Sequence, residues 1–171
     1  MLKLAGAILV LLSGTLIGFR QAARYADRTA QIRQLLHALQ RLETEIGFGH
    51  TPLPEALERA AAGAAGPVAS LFHRTAERLR AGGAAVRDAL RAAVDEGWSL
   101  TAMREPERSA VIRLGDALGI SDREDQIRHL RLAAALLQAE EAGARDEQAR
   151  YGKMWRSLGF MAALLVVILM L

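Results

Sequence analysis

The chain has 171 residues, enough for one domain of ordinary size, and 24% of them are charged. It contains no cysteine, which excludes disulfide bonds, thiolate nucleophiles and cysteine-ligated metals. The net charge is only +3, aromatic residues make up 5% and alanine is abundant, so helices are favoured over sheets. Mean hydropathy is nevertheless positive, which indicates apolar segments set apart from a charged middle.

The first apolar run covers residues 4–19 and carries no charge. One interpretation is a cleaved signal peptide, because a single lysine precedes an apolar core. However, no clear small-x-small cleavage site precedes the polar region, and Arg20, Arg24 and Arg28 follow at once and resist export. We therefore predict an uncleaved transmembrane anchor over residues 1–19.

The middle of the chain, residues 20–153, is predicted to form an all-α bundle of about six helices. Apolar residues recur there at helical spacing, and no strand pattern of period two persists. The first long helix runs from Ala22 to about Ile46. Glycines and prolines then predict shorter helices that begin near Thr51, Pro67, Ala84 and Pro106. Thr51 is placed to cap the first of them.

The last helix begins at Ser121, which forms a capping box with Glu124. It is predicted to continue almost unbroken through Gly143, a weak point that costs about 1 kcal/mol relative to alanine. Residues 158–171 carry no charge, no proline and no polar side chain. We expect a lipid bilayer around them, and the alternative is a buried C-terminal core helix. The predicted C-terminal transmembrane anchor covers residues 154–171.

Positive charge flanks both apolar runs on the side that faces the middle of the chain. The flanking residues are Arg20, Arg24, Arg28, Arg150, Lys153 and Arg156. By the positive-inside rule, the central domain is cytosolic and both ends cross outward through the cell membrane.

The sequence has no motif that points to an active site. It has no P-loop and no Gly-x-Ser-x-Gly elbow. Its four histidines are scattered, and Asp125 and His129, one helical turn apart, are interpreted as a surface pair rather than as metal ligands. We predict no catalytic residue, no cofactor, no metal and no small-molecule substrate, hence no enzyme. A small membrane-bound enzyme, the alternative, would need titratable side chains that folding brings together.

Charge patterning favours binding to proteins over binding to nucleic acid. Arginines alternate with acidic residues, as in residues 123–128, which is typical of a solvated helix face with ion pairs and not of a phosphate-binding stripe. We therefore predict no nucleic-acid partner. The predicted partner interface is the polar face around Glu43, Glu45, Arg123 and Glu124. The alternative is that these four are ordinary solvated helix residues.

Two stretches resemble the stage III sporulation protein AB family. They are residues 41–57, RLETEIGFGHTPLPEAL, and residues 114–130, LGDALGISDREDQIRHL. Residues 2–7 and the Leu158-Gly159-Phe160 start of the tail also match the family's pattern. The resemblance thus covers essentially the whole chain.

The resemblance implies a non-enzymatic subunit of a membrane complex made during endospore formation, in the mother-cell membrane around the forespore. With other stage III proteins, such a complex forms a transport channel, or feeding tube, between the two cells. The family's soluble domain is similar to the cytoplasmic domain of the type II secretion F protein, an inner-membrane platform beside a cytosolic ATPase. By that analogy, the expected partners are membrane lipid, other stage III proteins and the stage III AA ATPase. The alternative is an F-type platform of a type II secretion or type IV pilus-like system, which normally carries two such domains.

Overall fold

The computed structural model describes residues 2–48, 51–119 and 122–170, and this part of the chain contains helices and no strand. The elements are α1 (Leu2–Phe48), α2 (Leu53–Ala61), α3 (Gly66–Ala81), α4 (Val86–Gly97), a 3₁₀ turn (Trp98–Leu100), α5 (Glu105–Ala117) and α6 (Arg123–Met170). The predicted all-α fold class is therefore confirmed.

The chain divides into two compact units. The terminal unit comprises Met1–Thr29 and Gly143–Leu171, and the central unit comprises Ala30–Ala142. Helices α1 and α6 contribute residues to both units, whereas α2, α3, α4 and α5 lie wholly in the central unit. The predicted boundaries of the two anchors and of the domain between them depend on where a membrane begins and ends. These boundaries therefore stay a prediction.

Helices α1 and α6 are each a single uninterrupted helix. Helix α1 includes both the helix predicted from Ala22 and the apolar run before it, because no proline separates the two. Helix α6 passes through Gly143 as predicted, and a Cβ at that position would meet nothing within 4 Å. Ser121, the predicted start of the capping box, lies outside the described residues. The described cap is Asp122, whose Oδ1 accepts a hydrogen bond from the Asp125 N–H at 2.8 Å.

The core of the central unit forms along one face of α1. Ile32, Leu35 and Leu42 are at most 1% exposed, which confirms the apolar stripe predicted for this helix. The rest of the central unit adds buried side chains to it: Leu57, Val68, Leu71, Phe72, Leu90, Val94, Val111, Leu114, Leu118, Leu130 and Leu137. Burial of one such side chain contributes about 1.5–3 kcal/mol, so this core holds the short helices in place.

The start of α2 corrects one prediction. Pro52, and not Thr51, precedes the first residue of α2, and its carbonyl accepts hydrogen bonds from the N–H groups of Glu55 and Ala56 at 3.0 Å. The Thr51 hydroxyl instead donates to Glu45 Oε2 at 3.1 Å. The predicted Thr51 cap is therefore wrong: Pro52 occupies the cap position, and the Thr51 hydroxyl is hydrogen-bonded to the Glu45 carboxylate, which is a strong acceptor.

A glycine is required just after α5. Gly119 has a φ of +85°, the left-handed region that side chains rarely adopt, and a Cβ there would lie 2.5 Å from Val86 Cγ2. The helix stops at Ala117, so the predicted end at Gly119 is confirmed within two residues.

Candidate interaction surface

Helices α1 and α6 run antiparallel within the central unit and are joined there by ion pairs. Arg131 Nε lies 2.7 Å from Glu43 Oε1, and Arg33 Nε lies 2.7 Å from Glu141 Oε1. Residue numbers rise along one helix as they fall along the other, so the end of α1 and the start of α6 lie at the same end of this unit. The four residues of the predicted partner interface belong to that end.

Two of those four residues are engaged within the chain. Glu43 accepts a hydrogen bond from Arg131, while Glu45 Oε2 accepts bonds from the Thr51 hydroxyl and from Arg59 Nη1, both at 3.1 Å. The side chains of Glu43 and Glu45 are 28% and 24% exposed. These carboxylates therefore tie α1 to α6 and to α2, a structural role that the sequence did not reveal.

The other two residues, Arg123 and Glu124, form the start of α6 and are exposed. The negative charge of Glu124 lies in the first turn, where it complements the helix dipole. The structure thus brings the four residues to one end of the central unit, as two internally paired carboxylates and two solvent-facing charges. Their role in binding a partner stays a prediction.

The described residues contain no group of three or more His, Asp or Glu side chains that could hold a metal ion. Asp125, which the sequence placed one turn from His129, instead pairs with Arg128 at 2.8 Å. His50 lies outside the part of the chain that the structure describes.

Arginines and carboxylates pair across the short helices. Arg108 lies 2.7 Å from Asp95 and 3.1 Å from Glu105. The hydrogen bonds to these two carboxylates raise the pKa of Arg108 above its ordinary value, so its charge is held more firmly. Glu58 likewise accepts a bond from Arg80 at 3.0 Å. The sequence indicated a helix face with ion pairs at residues 123–128, and the pair described there is Arg128 with Asp125. Exposed pairs of this kind add little to stability.

A groove between α5 and α6 was not predicted from the sequence. It has a volume of about 400 Å³ and is lined by Glu105, Pro106, Ser109, Ala110, Arg113, Leu136, Ala139 and Glu140. On α6, Leu132 and Leu136 are 56% and 44% exposed, although Leu130 and Leu137 on the same helix are buried. The sequence shows these two exposed leucines as a pair four residues apart and off the core stripe, but it does not show the gap between the helices.

The terminal unit exposes large apolar side chains on both of its helices. Those at least 40% exposed are Leu12, Leu16, Ile17 and Phe19 on α1, and Met154, Leu158, Met161, Leu164, Leu165, Val166 and Ile168 on α6. Within the described residues, no stretch of helix combines the length and the hydrophobicity that a membrane span requires.

Polar and aromatic contacts join the two helices of the terminal unit at its other end. Arg28 is only 5% exposed, and its Nη1 lies 3.3 Å from Glu147 Oε2. The rings of Tyr25 and Tyr151 stack with their centroids 5.8 Å apart. A buried guanidinium with a carboxylate partner fixes the register of the two helices, because a shift along either would separate the charges.

Known proteins resemble this chain in both sequence and fold. The family model for stage III sporulation protein AB matches residues 3–171. A curated relative, the stage III sporulation protein AB of Bacillus subtilis (strain 168), is 40% identical over 171 residues, which is 100% of each chain. A solved structure of a stage III sporulation protein AB is 37% identical with a TM-score of 0.69, and the match covers 72% of this chain and 98% of that one.

Proposed function

The chain belongs to the stage III sporulation protein AB family, and from this membership we propose that it is a non-enzymatic platform subunit of the stage III sporulation complex. The match over essentially the full length is the observation that carries the proposal, because it includes the central bundle and the two terminal segments for which anchors are proposed. In this role the chain presents surfaces to other proteins and positions them at the membrane of the mother cell, where the channel to the forespore is built.

The exposed apolar side chains of the terminal unit support attachment to the cell membrane. Leu12, Leu16 and Ile17 on α1, and Leu165 and Ile168 on α6, are each at least 59% exposed. Removal of apolar surface from water is favourable by about 25 cal/mol per Å², and lipid chains would cover these side chains. The proposed anchors are residues 1–19 and 154–171.

The central domain is proposed to lie in the cytosol, where it receives the AA ATPase of the same complex. The proposed docking surface is the end of the central unit that carries Glu43, Glu45, Arg123 and Glu124. Because Glu43 and Glu45 are held by Arg131 and by Arg59 and Thr51, their positions are fixed before a partner arrives. The exposed charges of Arg123 and Glu124 supply the contacts that remain open to a partner.

Charge reversal at the start of α6 tests the docking surface. The full chain carrying Arg123→Glu and Glu124→Arg is expected to recover at least about tenfold less ATPase in crosslinking pull-downs from sporulating membranes, since like charges across an interface disfavour binding. The control carries Arg91→Glu and Asp116→Lys, two exposed charges on α4 and α5. Equal recovery with both variants would refute docking at this end.

A further inference from the structure

Two segments of the terminal unit carry positive charge only. Residues 17–26 of α1 and residues 148–158 of α6 contain no Asp or Glu. In the central unit, by contrast, arginines pair with carboxylates, as Arg108 does with Asp95. Four basic side chains of the two segments are exposed, and we call them the basic collar: Arg20, Arg24, Arg150 and Lys153. The positive charge of the collar is therefore not balanced by a carboxylate within either segment.

The contacts between α1 and α6 place the collar at one level of the terminal unit. Tyr25 stacks on Tyr151, and Arg28 Nη1 lies 3.3 Å from Glu147 Oε2, which fixes the register of the two antiparallel helices. Counted from the two tyrosines at about 1.5 Å per residue, the backbones of the four collar residues lie within about 9 Å along the helix axes. On each helix, the two collar residues are only about 40–60° apart around the axis, because three or four positions separate them. The collar is therefore a short band across both helices.

The collar separates apolar surface from acidic residues. Towards the chain ends lie the side chains of Leu16, Ile17 and Leu158, which are 64%, 66% and 48% exposed. In the opposite direction, the first acidic residues are Asp27 and Glu147. An apolar surface bordered by positive charge is typical of the point where a helix leaves the hydrocarbon of a membrane on its cytosolic side.

Three aromatic side chains share the level of the collar. Tyr25 and Tyr151 stack with their ring centroids 5.8 Å apart, and Trp155 follows one helical turn later on α6. All three are partly exposed. Tyrosine and tryptophan are enriched at the level of lipid headgroups, because each combines an apolar ring with a hydrogen-bond donor. These rings therefore favour lipid over an acidic protein as the occupant of the collar.

We propose that the basic collar binds the headgroups of anionic phospholipids in the membrane leaflet that faces the cytosol. The proposal rests on the proposed attachment of the terminal unit to the cell membrane and names the lipid that this attachment selects. The guanidinium groups of the three arginines match phosphate oxygens in geometry as well as in charge, and Lys153 supplies a point charge. Basic residues next to a membrane are attracted by anionic lipid, so the collar gives the terminal unit a lipid preference that its apolar side chains do not provide.

Lipid retention by the purified full chain tests this proposal. The chain is exchanged into detergent micelles that contain equal amounts of phosphatidylglycerol and phosphatidylcholine, free micelles are removed, and the retained lipids are measured by mass spectrometry. We expect phosphatidylglycerol to be enriched about threefold over phosphatidylcholine, and the enrichment to fall as sodium chloride screens the charges. Equal retention of the two lipids would overturn the proposal.

Two charge-matched variants locate the effect in the chain. The collar variant carries four substitutions: Arg20→Gln, Arg24→Gln, Arg150→Gln and Lys153→Gln. The control replaces four exposed arginines of the central unit: Arg91→Gln, Arg113→Gln, Arg123→Gln and Arg128→Gln. Both variants lose the same positive charge, but we expect only the collar variant to lose most of the enrichment. An equal loss in both would assign the lipid preference to net charge and overturn the collar as its site.

Two further measurements distinguish the collar from the membrane attachment and from free phosphate. In carbonate extraction, we expect the unaltered chain and the collar variant to stay in the membrane pellet, because their apolar side chains are the same. Release of the unaltered chain would overturn the attachment and the collar together, whereas retention without lipid enrichment would overturn the collar alone. Sodium phosphate is expected to lower the enrichment no further than sodium chloride of equal ionic strength. A larger loss would assign the collar to free phosphate and overturn the lipid as its ligand.

Discussion

Replacement of Glu147 by methionine is expected to lower the free energy of unfolding of the full chain by about 3 kcal/mol. The substitution removes the Glu147 carboxylate from Arg28, whose guanidinium belongs to a residue that is only 5% exposed. Breaking a buried ion pair costs about 3–5 kcal/mol, and the lower end applies because the Glu147 side chain is itself 31% exposed to water. Thermal unfolding in detergent, followed by circular dichroism, measures the change.

The neighbouring residue provides the control for this prediction. Asp146→Met makes the same type of change at an exposed position of α6 and is expected to alter stability by no more than about 0.5 kcal/mol. The combined Arg28→Met and Glu147→Met variant is expected to regain most of the loss, because it replaces the whole ion pair by apolar side chains and removes the cost of burying the arginine charge. If Glu147→Met were no more destabilising than Asp146→Met, the pair would not hold the terminal unit together.

Truncation of Leu137 to alanine is expected to cost about 2–5 kcal/mol, because its side chain is fully buried in the core of the central unit and its loss leaves a cavity. For a chain of this size, each kcal/mol lowers the melting temperature by about 2–4 °C. Leu132→Ala on the same helix is the matched control, since its side chain is 56% exposed, and we expect a change within about 0.5 kcal/mol. Equal losses in the two variants would contradict the assignment of the core face of α6.

The helical pattern could be predicted because it depends on local sequence. Ile32, Leu35 and Leu42 repeat at helical spacing and are buried, as expected for an amphipathic helix. Gly119 ends a helix because its φ of +85° excludes other residues. Thr51 was wrongly predicted as a helix cap because its position just before the helix favours that role locally. Only the fold brings the Glu45 carboxylate to its hydroxyl.

The interaction surface was less accessible to sequence reasoning because it depends on how helices pack. In the sequence, Glu43 and Glu45 have the pattern of solvent-exposed charges. In the fold, Glu43 pairs with Arg131, which is distant along the chain, and Glu45 pairs with Arg59 on the next helix. The groove beside Leu136 could not be predicted either, since it exists only where α5 and α6 leave a gap. A periodic leucine identifies an apolar face, but only the packing determines whether that face is buried.

The most direct test of a membrane-held platform is carbonate extraction of the full chain from membranes of sporulating cells. Alkaline carbonate releases proteins that are bound only by charge and leaves those whose apolar segments are surrounded by lipid. We expect the chain to remain in the membrane pellet and to leave it only with detergent. Release into the carbonate supernatant as a stable, folded monomer would contradict both the proposed anchors and the platform role that depends on them.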